Sequence, residues 1–153
     1  MITNQKTIMI KQPIEEVFAY ISDFQNGPEW QSGLVEVCRL TKGPLGTGTQ
    51  FSSVRKFMGR KLESRIEFVA YEKNRRIAFR SVSGPSPFRQ SFLFEATVEG
   101  TKISTEFELE TTGLMGLAEP LIASSVRREM DANFTDLKEL LESRVPEAFE
   151  LLE

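Results

Sequence analysis

The middle of the chain alternates apolar and polar residues, which predicts an antiparallel sheet with one apolar face and one polar face. The clearest run is KLESRIEFVAYE, in which Leu62, Ser64, Ile66 and Phe68 share one face and charged residues share the other. Comparable runs lie on both sides of it, separated by short turns rich in glycine, proline and charged residues. With a first strand over residues 3–11, the pattern indicates about seven strands.

The segment after the first strand has the spacing of an amphipathic helix. Pro13 is placed to begin it, because the first helical position has no partner for an N–H group, which proline lacks. Apolar residues then follow at i, i+3, i+4 and i+7, namely Ile14, Val17, Phe18 and Ile21. Asp23 can cap a second short helix that ends near Trp30, the only tryptophan of the chain.

A long C-terminal helix is predicted from Pro120 to about Ser143. Its apolar stripe consists of Ile122, Val126, Met130, Phe134, Leu137 and Leu141. At about 1.5 Å per residue, such a helix crosses a whole domain of this size. Because a single helix cannot cover all of a broad, curved sheet, we expect an apolar cavity to remain between the two.

Length and composition limit the class of protein. The 153 residues are enough for one domain, which we place at residues 1–145, followed by a short acidic tail at 146–153. A net charge of −3 with mixed signs gives no indication of nucleic-acid binding. No apolar run has the length of a membrane span and no signal-peptide pattern is visible, so a cytoplasmic protein is expected, either a monomer or a homodimer.

The chain contains no histidine and a single cysteine, Cys38. Catalysis by Ser-His-Asp or Cys-His groups is therefore excluded, because no imidazole can act as the base. An internal disulfide and a cysteine-rich zinc site are excluded as well, and we expect neither a metal nor a cofactor. Cys38 lies in the strand-like run LVEVCRL, where a buried small apolar residue is expected.

Several runs resemble one known group of proteins. They are KQPIEEVFAYISDFQNGPEWQSGLVEV, GPLGTGTQF, GRKLESRIEFVAYEKNRRIAFRS and FLFEATVEGTKISTEFELET. Together they are similar to the polyketide cyclase/dehydrase and lipid-transport superfamily, the START-like or SRPBCC group. The resemblance implies an α+β helix-grip fold of the Bet v 1-like kind. In that fold a seven-stranded antiparallel sheet wraps around a C-terminal helix, two small helices close one end, and a deep cavity lies under the long helix.

Candidate ligand contacts come from the predicted inward face of the sheet, from Trp30 and from the stripe of the long helix. They are Trp30, Phe51, Ser53, Arg55, Phe57, Leu62, Ser64, Ile66, Phe79, Ser81, Gln90, Phe92, Phe94, Thr105, Phe107, Val126, Met130 and Phe134. The aromatic and aliphatic members either fill the core or contact a ligand, and the hydroxyl groups either bond to backbone or face a ligand. Trp30 either joins the short helices to the sheet or lines the closed end of the cavity.

Arg55 is the most distinctive of these residues, because arginine is almost never buried without a partner. Its guanidinium either reaches solvent at the sheet edge or binds a carboxylate or enolate of a ligand. The loops at 83–88 and 113–120 are rich in glycine and proline. They either border the mouth of the cavity or are plain connectors.

Three functions are compatible with this pattern. The first is the binding of a small hydrophobic molecule, such as a lipid, a polyketide or an aromatic metabolite, in the cavity. The second is a cyclase, aromatase or dehydratase acting on a polyketide-like substrate held in a folded pose, although no catalytic residue can be identified. The third is a stress-related or co-chaperone-like interaction module.

Overall fold

The computed structural model describes residues 1–112 and 114–144. The elements are β1 (Ile2–Ile10), α1 (Ile14–Ser22), a 3₁₀ helix (Phe24–Glu29), β2 (Leu34–Arg39), β3 (Gln50–Phe57), β4 (Arg60–Glu72), β5 (Arg76–Ser83), β6 (Phe88–Thr97), β7 (Gly100–Leu109), α2 (Leu114–Leu117) and α3 (Glu119–Glu142). The proposed tail at 146–153 lies outside the described residues.

The strands form one seven-stranded sheet in the order β1-β7-β6-β5-β4-β3-β2, and every neighbouring pair is antiparallel. The predicted meander and its seven strands are thus confirmed. The pairing between neighbouring strands places the predicted inward-facing residues on one face of the sheet. Ile66 lies opposite Phe51 on one side and Ser81 on the other, and Phe92 lies opposite Ile77 and Thr105. This face is the inner, concave face, against which α3 packs.

Helix α1 and the 3₁₀ helix close one end of the sheet. Pro13 occupies the N-cap position of α1, one residue before the position predicted for it. The side chain of Asp23 accepts a hydrogen bond from the Gln25 backbone N–H at 3.2 Å, which confirms the predicted cap. Tyr20 Oη donates to Glu29 Oε1 at 2.6 Å and ties the two helices together. Burial, and then the Glu29 hydrogen bond, raise the pKa of the Tyr20 hydroxyl.

Trp30 follows the 3₁₀ helix and is buried, with 6% of its surface exposed. Its ring lies 5.5 Å from the ring of Phe134 on α3. The large indole therefore joins the short helices to the long one, which agrees with the first of the two interpretations of this residue.

An ion pair and several hydrogen bonds hold helix α3 against β1 and the residues that follow it. Lys6 Nζ pairs with Asp131 Oδ1 at 3.0 Å, and Lys138 Nζ donates to the carbonyl of Met9. Gln12, which is 5% exposed, donates through Nε2 to the carbonyls of Leu141 and Arg144, both at 2.8 Å. The Gln12 side chain therefore joins the C-terminal end of α3 to the segment that follows β1.

Cys38 is exposed, so the expectation of a buried residue is wrong. The register between β2 and β3 shifts between Leu34 and Glu36, which marks a bulge. Past the bulge Val37 packs against the core, and Cys38 points away from it. Because β2 is an edge strand, no neighbouring strand covers its outer side.

Candidate functional site

One end of the concave face is filled by side chains. We call this the closed end; its buried residues are Phe51, Ile66, Phe68, Ile77, Phe79, Phe92, Phe94 and Ile103. Phe24 of the 3₁₀ helix sits among them, with ring centroids 5.4 Å from Phe51 and 4.8 Å from both Phe68 and Phe79. The closed end is therefore a packed aromatic core.

In the described part of the chain, this packing leaves no cavity between the sheet and the long helix at the closed end, where one was expected. Phe51, Ile66, Phe92 and Phe134 belong to one buried cluster, and the rings of Phe92 and Phe134 are 6.2 Å apart. Among the residues that the structure describes, Phe24 fills the space that we expected between sheet and helix here. The sequence pattern does not indicate an inward role for Phe24, because Phe24 lies outside the helical stripe of α1.

The other end of the same face remains partly exposed. We call this the open end; its inward-facing residues are Ser53, Leu62, Ser64, Ser81, Phe88, Gln90, Phe107 and Leu109, each of intermediate exposure. It lies where β3, β5 and β7 finish and where β4 and β6 begin. The rings of Phe88 and Phe107 are 6.2 Å apart and form an aromatic floor there. Phe88 is absent from the predicted contacts.

A line of polar side chains separates the two ends. We call it the polar band: Gln90 on β6, Ser81 on β5, Ser64 on β4 and Ser53 on β3. Ser53 and Ser64 are directly opposite each other in register, and each remaining step joins diagonal neighbours on adjacent strands. Opposite side chains on paired strands lie roughly 5 Å apart and diagonal ones roughly 7–8 Å, so the band is continuous across these four strands.

The polar band is only partly satisfied by the protein itself. Ser81 Oγ accepts from the Phe88 backbone N–H at 3.0 Å, whereas Ser53 Oγ has a long contact of 3.5 Å to the Ser64 carbonyl. Gln90 Nε2 donates to Thr105 Oγ1 at 3.0 Å. Within residues 1–112 and 114–144, the Ser64 hydroxyl and Gln90 Oε1 have no hydrogen-bond partner, so they remain available to a ligand.

Thr105 differs from the rest of the predicted polar contacts. It is 2% exposed, and its hydroxyl donates to the Ser91 carbonyl at 2.8 Å while accepting from Gln90. It is a satisfied core hydroxyl, which was one of the two alternatives for this residue type. Its role at the site is to hold the Gln90 amide in position.

The loop between β5 and β6 borders the open end. A Cβ atom on Gly84 would lie 2.8 Å from Ser64 Oγ, and the φ angle of Gly84 is +141°, which side chains rarely adopt. Glycine at this position therefore lets the loop lie directly against the polar band. This placement favours the border role for the loop at 83–88. Gly113 of the other predicted loop lies outside the described residues.

Arg55 has partners that neither alternative anticipated. Its Nη1 donates to Glu129 Oε1 on α3 at 3.2 Å, and its Nη2 donates to Gln31 Oε1 at 2.7 Å. Burial lowers the pKa of the guanidinium, and the Glu129 carboxylate opposes that effect. The side chains of Arg55 and Glu129 are 33% and 22% exposed, so the pair is a partly buried link between β3 and α3.

The remaining predicted contacts lie on or beneath α3. Val126 and Phe134 are buried, and Met130 is partly buried. Met130 Sδ accepts from Asn4 Nδ2 at 3.1 Å. Phe57 packs against a second, smaller apolar cluster under the first half of α3, formed by Ile2, Ile122 and Val126. The structure thus divides the predicted contacts between the packed closed end, the open end and the underside of the helix.

Comparison with solved structures identifies the same architecture in other proteins. The Zhui aromatase/cyclase from Streptomyces sp. R1128 matches with a TM-score of 0.77 at 14% identity, covering 95% of this chain and 96% of that chain. A START superfamily protein from Mycobacterium smegmatis matches with a TM-score of 0.74 at 15% identity, covering 92% and 97%. The protein Ara h 8.0201 matches with a TM-score of 0.71 at 14% identity, covering 93% and 98%. At these identities the likeness establishes the fold, which is the predicted helix-grip fold.

The comparison with curated proteins found no match. No helix in the described part of the chain is both long enough and apolar enough to cross a membrane. Residues 1–142 match the family described as polyketide cyclase / dehydrase and lipid transport. Because that match spans almost the whole chain, the protein belongs to this family.

Proposed function

We propose that this protein binds a small, largely apolar molecule at the open end of the concave face. One observation carries the proposal: inward-facing side chains are partly exposed at this end, whereas those of the same strands at the closed end are buried. Large apolar side chains that face solvent on a concave surface are typical of ligand sites. The residues of the closed end form the rigid base of the site.

The composition of the open end indicates the chemistry of the ligand. Leu62, Phe88 and Phe107 supply apolar surface, whose burial contributes about 25 cal/mol per Å² to affinity. Ser64 and Gln90 supply free hydrogen-bonding groups. A lipid, a polyketide or an aromatic metabolite with one or two oxygen atoms satisfies both features. A pure hydrocarbon would leave the polar band without partners, at a cost of about 1–3 kcal/mol for each desolvated group.

Catalysis of a cyclisation or dehydration on such a ligand is the alternative, because a structural neighbour is an aromatase/cyclase. Proton transfer requires a titratable group within hydrogen-bond reach of the ligand. The polar side chains that we place at the open end are hydroxyls and an amide, and Arg55 is engaged by Glu129 and Gln31. We therefore favour binding over catalysis for this chain.

A neutral fluorescent probe, N-phenyl-1-naphthylamine, tests the binding site directly. We expect its fluorescence to rise on titration with the protein and to saturate at one site. Ser53→Phe should weaken binding by at least about fivefold, because the ring would occupy the open end; this corresponds to roughly 1 kcal/mol. Ser52→Phe is the matched control, because Ser52 directly precedes Ser53 on β3 and its side chain faces the opposite side of the sheet.

Equal binding by both variants would contradict the proposed location, and no binding by the wild-type protein would contradict the function. Native mass spectrometry of freshly purified protein adds an independent test, because a retained apolar ligand appears as a mass above that of the 17.4 kDa chain. Conversion of a polyketide-like substrate without net retention would favour the catalytic alternative.

A further inference from the structure

A pocket lies outside the concave face, between α3 and the end of β3. We call it the side pocket. It has a volume of about 500 Å³ and is lined by Ser32, Phe57, Met58, Ser125, Arg128 and Ala132, among others. Pockets that bind small molecules commonly measure about 300–1,000 Å³. Phe57 separates the side pocket from the apolar cluster under α3, because it contacts both.

The attachment of α3 explains why a gap exists on this side. Ion pairs such as Lys6–Asp131 hold the helix close to β1, whereas on the β3 side it is held through Arg55 and Glu129. Gly33 lies beneath Glu129, where an added Cβ would come within 2.3 Å of Glu129 Oε1. Glu129 of α3 is thus in contact with the segment that precedes β2.

The polar groups of the side pocket have unused hydrogen-bonding capacity. The hydroxyls of Ser32 and Ser125 form no hydrogen bond within the part of the chain that the structure describes. Arg128 has no carboxylate within 4.0 Å among the same residues, and its contact to Ser124 Oγ is long, at 3.5 Å. Among the charged lining residues, Glu129 pairs with Arg55, whereas Arg128 and Lys56 have no carboxylate within 4.0 Å in the part of the chain that the structure describes.

The side pocket also has apolar lining. It comes from Phe57 and Met58 at the end of β3 and from Ala132 on α3. Met58 is 53% exposed and has a φ angle of +51°, in the left-handed region that side chains rarely adopt. Its flexible thioether is suited to cover an apolar ligand of variable shape. An arginine and two hydroxyls beside apolar side chains fit a molecule that has an acidic group at one end.

We propose that the side pocket binds a small carboxylate with an apolar body. Arg128 pairs with the carboxylate, Ser32 and Ser125 donate hydrogen bonds to it, and Phe57 and Met58 cover the apolar part. This site is separate from the open end of the concave face, and neither proposal depends on the other.

Chemical-shift mapping in ¹H–¹⁵N NMR spectra tests the site with two matched probes, 4-phenylbutyrate and 4-phenylbutan-1-ol. The carboxylate probe should shift the amide resonances of Gly33, Met58, Ser125 and Arg128, and the alcohol should bind about fivefold more weakly. Arg128→Gln should weaken the binding of 4-phenylbutyrate by about fivefold, which is the effect expected from losing one solvent-exposed ion pair. Arg128→Lys should retain most of the affinity.

Two controls match the change in charge without touching the side pocket. Arg127→Gln alters the neighbouring exposed arginine of α3, and Lys73→Gln alters an exposed lysine between β4 and β5, away from the pocket lining. Both should leave the affinity within about twofold of the wild type. Three outcomes would overturn the inference: a loss in the Arg127→Gln variant equal to that of Arg128→Gln, carboxylate and alcohol binding equally well, or shifts confined to the open end around Gln90 and Phe107. The last of these outcomes would contradict only the binding site proposed in the side pocket and would leave the proposed function intact.

Discussion

Replacing Phe51 by alanine should destabilise the protein far more than replacing Phe107 by alanine. Both residues are phenylalanines of the concave face, each on a strand next to an edge strand, and they differ in the end of the sheet that they occupy. Phe51 is fully buried and contacts the rings of Phe24 and Phe68, whereas Phe107 is partly exposed at the open end. The pair therefore tests whether the concave face is packed at one end and open at the other.

The expected magnitudes follow from burial. Truncating a fully buried phenylalanine costs about 3–5 kcal/mol, since the transfer free energy of the ring is lost and a cavity remains. Phe107 packs against the cluster under α3, but part of its ring already faces solvent, so we expect a smaller loss of about 1–2 kcal/mol. With a urea m value of about 2 kcal/mol/M, the unfolding midpoint should fall by roughly 2 M for Phe51→Ala and by less than about 1 M for Phe107→Ala.

Urea unfolding followed by far-ultraviolet circular dichroism and by the fluorescence of Trp30 measures both losses. Phe88→Ala is a control, because Phe88 is the ring neighbour of Phe107 and should show a similarly small loss. A Phe107→Ala variant as unstable as Phe51→Ala would refute the reasoning. The open end would then be packed like the core, without room for a ligand.

Other perturbations give equally specific expectations. In a double-mutant cycle on Arg55→Ala and Glu129→Ala, the coupling energy should be about 1 kcal/mol, reduced by partial exposure; a value near zero would show that the link does not hold α3. Burial tends to raise the pKa of Glu142, but hydrogen bonds from the side chain of its ion-pair partner on α3 and from a backbone N–H lower it below the ordinary 4.5. The ionised Glu142 carboxylate therefore adds to the free energy of unfolding above pH 4.5, and this stabilisation is lost as the pH falls further. The difference in stability between wild type and Glu142→Gln should be largest at neutral pH and should vanish in acid. The thiol of Cys38 should react with a disulfide reagent in the folded protein, and more slowly than in Glu36→Gln, because the Glu36 hydrogen bond raises the thiol pKa; a thiol that reacts only after unfolding would contradict its exposure.

The elements were predictable because their signals are local. Alternation along β4 places Leu62, Ser64 and Ile66 on one face whatever the rest of the chain does, and the structure keeps them together on the concave face. The spacing of the α3 stripe likewise predicts a helix from Pro120 to about Ser143, and the helix is Glu119–Glu142. Period and turn chemistry act over a few residues, so a single sequence carries them in full.

The candidate site was predictable only in outline. Arg55 was recognised as an inward-facing cation, but its partner Glu129 lies 74 residues further along the chain. Glu129 does fall beside Val126 and Met130 of the predicted stripe, and this position was the available signal. Cys38 was misjudged because a bulge of one residue reverses the face on which every later side chain of a strand lies.

Alternation, helical spacing and the order of elements were sufficient to determine a curled antiparallel sheet that grips one long helix. Whether space remains between them was decided by the tertiary structure, because Phe24 enters the closed end from the 3₁₀ helix, whereas the inward-facing side chains of the open end keep intermediate exposure. The contact of Glu129 on α3 with Arg55 and Gly33 likewise joins segments that are distant along the chain. A local pattern specifies which face a residue occupies, whereas the volume between two faces depends on how all the elements pack at once.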